Sequence, residues 1–158
     1  MLEQFVLFLK VKLASANKNI EIAMSVGLDS KLIPLLNFPL EHIQYEVTTL
    51  IAYISIGSCN TLIDIGLPFK LSKMFCSKET SMRLKEQVLI GLSNIASDSI
   101  RGRDEILKSE ILDQVKNTME DKNMPINIKK VCGVLIAGLC KGTPIPPIAA
   151  ISNKHIKS

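Results

Sequence analysis

The sequence predicts an all-α protein in which short helical units stack on one another, and three observations lead to this prediction. Apolar residues make up 47% of the chain, aromatic residues only 4%, and there is no tryptophan, which is typical of a helical core of Leu, Ile, Val and Ala. One pattern of residues occurs three times, at 44–57, 87–98 and 130–142. In these copies Tyr53, Asn94 and Gly138 share one position, 41 and then 44 residues apart. A repeat of about 40–47 residues is characteristic of HEAT and armadillo arrays.

Each copy is predicted to contain two short helices followed by a long one. The predicted helices are 20–25, 29–36 and 41–56; 60–65, 68–75 and 81–96; and 100–108, 110–120 and 126–140. In the first copy, Asn17 and Asn19 offer an N-cap, and Gly27 ends the first short helix. Pro34 falls early in the second helix, where its missing N–H is tolerated. Gly57 ends the long helix.

Aligning the second and third copies with the first locates their turns and helix ends. Gly66 and Glu110 stand at the turn that Gly27 marks, and Gly142 ends the last long helix. In the long helix at 81–96, apolar residues recur at spacings of four, four and three, namely Leu84, Val88, Leu92 and Ile95. Such a stripe is buried only when neighbouring repeats pack against it, so the units are expected to stack.

A second line of residues follows another face of the same long helix. Its members are Gln87, Ile90, Asn94 and Asp98. In a solenoid this line is expected to face the concave surface. The sequence therefore predicts a protein that binds something along a groove.

These helices divide the chain into five segments. They are 1–16, 17–58, 59–99, 100–142 and 143–158. The first is predicted to be the last helix of a partial repeat, the next three are predicted to be full repeats, and the fifth is a polar tail that contains three prolines. A P-x-x-P match in that tail is interpreted as a helix terminator rather than as a polyproline ligand.

Charge and hydropathy narrow the range of partners. The formal net charge is +4, with Lys and Arg scattered along the chain, and the aromatic stacking platforms of single-strand binders are missing, so nucleic acid is not an expected partner. The most apolar stretch, 47–67, contains Ser55, Asn60 and Asp64, so no membrane span is expected. Glu3 and Lys10 argue for an amphipathic helix rather than a signal peptide at the start.

The cysteines and histidines point to neither a metal site nor an enzyme. The four cysteines form no C-x-x-C pair, so neither zinc nor any other cofactor is expected. Cys132 and Cys140 lie in one apolar helical stretch and are interpreted as buried free thiols in a reducing compartment, the cytosol or nucleus. No catalytic motif occurs, so an enzyme is not expected.

Several short motifs resemble the importin-α family of armadillo adaptors, which carry nuclear-localisation signals. The sequence IQYE at 43–46 resembles that family's I-Q-F-E, LSNIASDS at 92–99 resembles L-G-N-I-A-G-D-S, and LCKGTP at 139–144 resembles L-C-R-G-K-P. The resemblance spans essentially the whole chain. It implies an armadillo-repeat right-handed solenoid of about three full repeats plus a partial N-terminal one.

The resemblance also implies a site. In that family a tryptophan on each long helix, followed four residues later by asparagine, holds the stems and the backbone of a basic peptide. The tryptophan positions here are Thr49, Ile90 and Val134, and the asparagine positions are Tyr53, Asn94 and Gly138. The peptide-binding residues carried over are Gln87, Asn94, Asp98, Gly57 and Ile90. Losing the tryptophans weakens cation–π contacts that are worth roughly 0.5–2 kcal/mol each.

Several of these residues have a second interpretation. Asn94 is either a peptide clamp or a partner for a backbone carbonyl of the neighbouring repeat. Asp98 either pairs with a cargo lysine or caps the helix that begins near Ile100, and the cap is favoured. Gln87 is interpreted as a solvated groove residue, and Tyr53 as a core residue rather than a ligand-stacking one. Arg101 and Arg103 are expected to pair with Asp104 or Glu105 on a helix surface.

The sequence thus supports one main function and one alternative. The main reading is an importin-α-like adaptor, present in cytoplasm and nucleus, that binds nuclear-localisation-signal peptides of cargo proteins. The alternative is an armadillo scaffold for protein–protein interaction that no longer recognises such signals. Importin-β is not an expected partner because the Arg-rich N-terminal arm is missing, and Lys129 and Lys130 would oppose a basic cargo. Self-association through uncapped ends is also expected.

Overall fold

A computed structural model describes the backbone of residues 17–142 and the side chains of residues 20–142. Over this range the chain forms α-helices and no strand, which confirms the all-α prediction. The helices are α1 (Asn17–Ser25), α2 (Asp29–Leu36), α3 (Glu41–Ile54), α4 (Cys59–Asp64), α5 (Leu67–Cys76), α6 (Met82–Asp98), α7 (Ile100–Leu107), α8 (Ile111–Glu120) and α9 (Ile126–Leu139). The predicted segments 1–16 and 143–158 lie outside the described residues.

The helices fall into three triplets, each with a long third helix: α1 to α3, α4 to α6, and α7 to α9. Each triplet lies inside one predicted repeat segment, while the boundaries between the segments remain predictions. This order of two shorter helices and one long helix in each triplet agrees with the prediction from the sequence. None of the described helices is long and apolar enough to cross a bilayer.

Local capping explains where the helices begin and end. The prediction ended the first long helix at Ile56, but α3 ends at Ile54, because the Ile56 N–H bonds to Tyr53 in a tighter turn before Gly57. Ser81 was predicted to be helical, but it is extended, and its hydroxyl accepts the N–H of Leu84 at 3.3 Å, so α6 begins at Met82.

The turn between the first two helices of each triplet differs among the repeats. Gly27 and Gly66 both adopt a left-handed backbone, with φ of +90° and +75°. Only glycine adopts this conformation at little cost, which explains why it occurs at both turns. Glu110 marks the third turn with φ of −81°, so the chain makes this turn in a conformation open to any residue.

The long helices form the spine of the packing. Helix α6 lies between α3 and α9 and contacts both, and α5 and α7 cover its other side. The predicted stripe is fully buried: Leu84, Val88, Leu92 and Ile95 are each at most 1% exposed. Where α7 crosses the end of α6, a Cβ on Gly102 would stand 2.7 Å from Ile95 Cγ2 and 2.8 Å from Ile95 O, so only glycine fits without a shift.

The prediction that Arg101 and Arg103 form ion pairs on a helix surface is correct only in part. Arg103 is only 1% exposed. Its Nε and Nη2 lie 2.8 Å from Asp104 Oδ1, and its Nη1 donates to the Lys141 carbonyl at 2.8 Å. It therefore ties the C-terminal end of α9 to α7. Arg101 does lie on the surface, but it pairs with Asp64 of the preceding triplet at 2.6 Å.

The four cysteines are free thiols that differ in burial. Cys59 and Cys132 are buried, Cys76 is half-buried and Cys140 is exposed. The prediction that Cys140 is buried was wrong, because α9 ends at Leu139 and the next residue already leaves the core. Burial raises the pKa of the Cys59 and Cys132 thiols to about 11, and the Asp98 carboxylate contributes further at Cys59.

Candidate functional site

The candidate site is the face that α3, α6 and α9 present on the side away from the shorter helices, and we call it the long-helix face. Its aligned positions are Thr49 and Tyr53 on α3, Gln87, Ile90 and Asn94 on α6, and Lys130, Val134 and Gly138 on α9. Because neighbouring long helices contact each other side by side, residues at aligned positions lie next to one another across the face.

Three contacts connect α3 to α6 along this face. Asn94 Nδ2 donates to the Ala52 carbonyl at 2.8 Å. The Thr49 hydroxyl donates to the Tyr45 carbonyl of its own helix at 2.9 Å and lies 3.4 Å from Gln87 Oε1. The Arg83 guanidinium lies 4.0 Å from the centre of the Tyr45 ring, a cation–π distance. The face is thus held together by side chains that reach from one repeat to the preceding one.

The structure shows the second of the two interpretations of Asn94, in which its side chain is a partner for a backbone carbonyl of the neighbouring repeat. Its amide nitrogen satisfies a carbonyl of the neighbouring repeat, and that same Ala52 oxygen also accepts the Ser55 hydroxyl at 3.0 Å. An asparagine amide has two N–H donors and one carbonyl acceptor, so Asn94 retains one N–H and its Oδ1 for a ligand. Its role as a peptide clamp remains a prediction.

Gly138 is the residue of α9 that aligns with Asn94. Because it has no side chain, the α9 backbone itself lies close to α6 there. A Cβ on Gly138 would stand 2.9 Å from Ser97 Oγ, 3.2 Å from Ala96 Cβ and 3.4 Å from the Ser93 carbonyl. Ser93 aligns with Ala52, so Gly138 approaches the same carbonyl position that Asn94 reaches with its side chain. A side chain at this position would require Ser97 Oγ to turn away and Ala96 to yield by a few tenths of an ångström, so glycine favours the close packing of α9 on α6.

Gln87 and Ile90, the other carried-over residues on α6, are both half-buried. Gln87 Oε1 lies 3.4 Å from Thr49 Oγ1 across the α3–α6 junction, and the interpretation of Gln87 as a solvated groove residue stays a prediction. Ile90 presents an aliphatic surface at the position where the resemblance implies tryptophan. Neither residue's role in peptide binding has been tested, and both remain predictions.

Gly57 and Asp98 meet at the edge of the long-helix face. Together with residues 58–61 and Ser99 they line a cavity of about 300 Å³. The favoured interpretation of Asp98 as a helix cap is wrong, because it is Ser99 whose hydroxyl accepts the Gly102 N–H at 3.3 Å. Asp98 is exposed, so its carboxylate is accessible to a ligand.

Exposed apolar side chains are the feature of this face that sequence reasoning missed. Tyr53 is 42% exposed, Ile56 60% and Val134 56%. Tyr53 had been interpreted as a core residue, which is wrong, because Ile51 and Ile54 take up the buried side of α3 and each residue turns about 100° from the last. Counting that angle from the two isoleucines would have revealed its exposure.

Charged groups on the face are unevenly distributed. Glu86 on α6 accepts a hydrogen bond from Asn127 at 2.8 Å, so its carboxylate already binds a donor from α9. Lys130 on α9 is exposed, and Lys129 is half-buried beside it. Among residues 17–142, no cluster of His, Cys, Asp and Glu has the geometry to hold a metal ion.

Comparison with known proteins identifies the architecture. No protein-family model matches the sequence, and no curated protein matches it significantly. A designed armadillo repeat protein in complex with the peptide (KR)4 superposes with a TM-score of 0.80 at 20% identity, over 90% of this chain and 59% of that one. Computationally designed armadillo repeat proteins for modular peptide recognition superpose with a TM-score of 0.76 at 19% identity, over 87% and 57%.

An engineered protein superposes with a TM-score of 0.78 at 17% identity, over 89% of this chain and 34% of that one. The chain thus spans between about one third and three fifths of the length of these similar structures. At such low identity the likeness concerns the fold alone. The protein therefore has an armadillo-repeat fold and is similar in structure to designed armadillo repeat proteins.

Proposed function

We propose that this protein is an armadillo scaffold for protein–protein interaction that binds an extended segment of a partner protein along its long-helix face. The observation that supports this most strongly is the exposure of large apolar side chains on both outer long helices of that face, Tyr53 on α3 at 42% and Val134 on α9 at 56%. Exposed apolar surface of this kind is typical of protein-interaction sites.

The dimensions of the face suit a short extended peptide. Neighbouring helices pack about 8–10 Å apart, so three long helices span roughly 20 Å from the first axis to the last. An extended chain advances about 3.3 Å per residue, so roughly six to eight residues would cross the face. A designed armadillo neighbour of similar fold is described in complex with a peptide, which supports the class of ligand.

Panning a displayed library of random linear peptides of about eight residues tests this proposal. Enriched peptides are expected to bind the native protein and to lose most of their binding to Val134→Asp. Ile136→Asp is the matched control: Ile136 is also an exposed aliphatic residue of α9, but it lies two positions and about 200° away. If no peptide is enriched, or if both variants bind equally, the proposal is wrong.

A second candidate function is recognition of nuclear-localisation signals, which would place the protein in both cytoplasm and nucleus. It is favoured by Gln87, Asn94 and Asp98, the polar set on α6 that the resemblance implies. A classical basic signal peptide should then bind at micromolar affinity and lose affinity on Asp98→Asn. Absence of binding up to hundreds of micromolar would eliminate this candidate.

A further inference from the structure

A cavity of about 370 Å³ lies between α5 and the turn that joins α7 to α8. Its lining consists of Phe69, Ser72, Lys73 and Cys76 of α5 and of residues 108–110 of the turn, with no residue from the long helices. The four α5 residues follow one another at spacings of three, one and three, so they lie on one face of that helix. Small-molecule sites measure about 300–1,000 Å³, so the cavity is large enough for a small ligand.

The Ser72 hydroxyl is a buried polar group that has no hydrogen-bond partner among residues 20–142. Ser72 is only 2% exposed. The comparable buried hydroxyls of Thr48, Ser93 and Thr118 each donate to the carbonyl four residues earlier at 2.7 Å. Buried hydroxyls without a partner are costly and rare in folded proteins. Because Ser72 lines the cavity, a ligand oxygen bound there would supply the missing acceptor.

Two ammonium groups at this cavity also lack a carboxylate partner among the described residues. Lys73 lines the cavity, and its Nζ lies 5.0 Å from the centre of the Phe69 ring. Lys85 on α6 is only 8% exposed, and its Nζ lies 5.8 Å from the centre of the Phe75 ring. Burial lowers the pKa of Lys85, and its electrostatic interaction with Cys76 opposes that shift, so Lys85 lies close to the cavity wall.

The opposite wall of the cavity offers less to an anion. Lys108 is already paired with Glu105, at 2.6 Å. Glu110 is exposed, and its carboxylate repels a second negative charge. The negative end of a ligand is therefore expected on the α5 side, next to Ser72 and Lys73.

We propose that this cavity binds a small organic anion. The oxyanion accepts from the Ser72 hydroxyl beside the ammonium groups of Lys73 and Lys85, and hydrogen bonds of this charge-assisted kind are the stronger ones. The apolar part of the ligand lies against the Phe69 ring. Carboxylates and phosphate monoesters share this chemistry. The site is separate from the long-helix face and does not depend on the function proposed for that face.

Alkylation of Cys76 in the full chain reports whether the cavity is occupied, because its half-buried thiol is part of the lining. The exposed Cys140 lies outside the cavity and is the internal control. Burial, and then the Glu110 carboxylate, raise the pKa of the Cys76 thiol, so the reaction with iodoacetamide is run at about pH 8.5. Mass spectrometry of peptides follows each cysteine separately in the presence of phenyl phosphate, benzoate or benzylamine.

We expect saturating phenyl phosphate or benzoate to slow alkylation of Cys76 at least about fivefold, because a bound anion covers the thiol and disfavours the thiolate. Cys140 should react at an unchanged rate. Benzylamine has the same ring with a positive charge, and it should protect neither cysteine. If only one of the two anions protects Cys76, the ligand class narrows to carboxylates or to phosphate esters.

Three variants locate the contact. Ser72→Ala should raise the phenyl phosphate concentration for half-protection about tenfold, since one hydrogen bond to a charged group is lost. It should cost no stability in urea denaturation, because the hydroxyl has no partner in the described protein. Lys73→Gln should raise that concentration about threefold. Lys70→Gln is the matched control, because Lys70 lies on the same helix but bonds to Asn37 outside this cavity.

Four results would overturn the proposal. The first is no protection up to roughly 20 mM of either anion, well above the millimolar affinity expected for ligands of this size, in which case an ordered water satisfies Ser72. The second is equal protection by benzylamine, and the third is equal slowing at Cys76 and Cys140. The fourth is a Ser72→Ala protein that loses stability but binds phenyl phosphate normally.

Discussion

The junction between α3 and α6 and the junction between α6 and α9 join equivalent surfaces in different ways. At the first, the Asn94 side chain reaches across to the Ala52 carbonyl at 2.8 Å. At the second, the aligned residue is Gly138, whose missing side chain lets the α9 backbone approach Ser93 and Ala96 directly. The first junction keeps a polar group at the surface, and the second uses that space for packing.

The difference shows that the residue at this position can vary from repeat to repeat while the fold is kept. Burial of the apolar stripe stabilises both junctions, and the stripe does not depend on the residue at the asparagine position. The side chain at that position can consequently be polar, aromatic or missing, as in Asn94, Tyr53 and Gly138.

Alkaline pH should produce the largest effect on stability, and it should act through two buried thiols in the core. Cys59, whose thiol donates to Ile95 O of α6, and Cys132 on α9 each have a pKa of about 11, raised by burial from an ordinary 9.0. A raised folded pKa stabilises the fold below pH 9, and this contribution is lost as the pH rises towards 11. Each thiol should cost about 1.4 kcal/mol of unfolding free energy per pH unit in that window.

Urea denaturation between pH 8 and 11 measures this loss. Cys59→Ala and Cys132→Ala should each reduce the slope of stability against pH by a similar amount. An unchanged slope in either variant would show that the thiol concerned is not responsible.

Arg103→Leu should weaken the attachment of the C-terminal end of α9 to α7. The guanidinium donates to the Lys141 carbonyl and to Asp104 from a fully buried position, so its removal should lower the unfolding free energy by about 2–3 kcal/mol. Arg101→Leu is the control, because its pair with Asp64 is exposed and should be worth less than about 0.5 kcal/mol. Equal losses by urea denaturation would contradict the assignment.

Gly138→Asn tests whether the α9 helix is packed too closely for a clamp. The new side chain should overpack against Ser97 and Ala96 and cost about 1–2 kcal/mol, measured by thermal unfolding. Gly133→Asn, on the same helix with no atom within 4 Å of its Cβ, should be neutral or slightly stabilising. A Gly138→Asn protein as stable as the native one would mean that the junction has room for an asparagine.

Asn94→Ala is expected to have the smallest effect on folding. Removing its hydrogen bond to Ala52 should cost about 1 kcal/mol, because the Ser55 hydroxyl still satisfies that carbonyl. The exposed bond of Asn127 to Glu86 is the comparison, and Asn127→Ala should cost less. A loss above about 3 kcal/mol for Asn94 would indicate that this single contact holds the junction together.

Much of the fold could be predicted because the signals for it are local and repeated. The periodic apolar stripe, Gly27 and Gly66 at equivalent turns, and the 40-residue repeat all depend on a few neighbouring residues. Helix ends were predicted to within about three residues; the largest error is at α1, which was predicted to begin at residue 20 and begins at Asn17. The cap of α7 was assigned to Asp98 instead of its neighbour Ser99, because both residue types favour that position.

The site was harder to predict because it depends on distances between helices. Nothing local to Asn94 indicates that its amide meets Ala52, and nothing local to Arg103 indicates that it is buried under Lys141. Both contacts join residues about 40 positions apart, so they follow from how closely the repeats pack. The exposure of Tyr53, by contrast, could have been predicted from helix geometry alone.

Mapping a bound peptide by NMR tests most directly whether the long-helix face is a binding surface. We expect a peptide selected by panning to shift backbone amide signals of Thr49, Tyr53, Ile90, Asn94 and Val134, while the outer helices α1, α4 and α7 remain unchanged. Shifts confined to those outer helices would contradict the proposed binding surface.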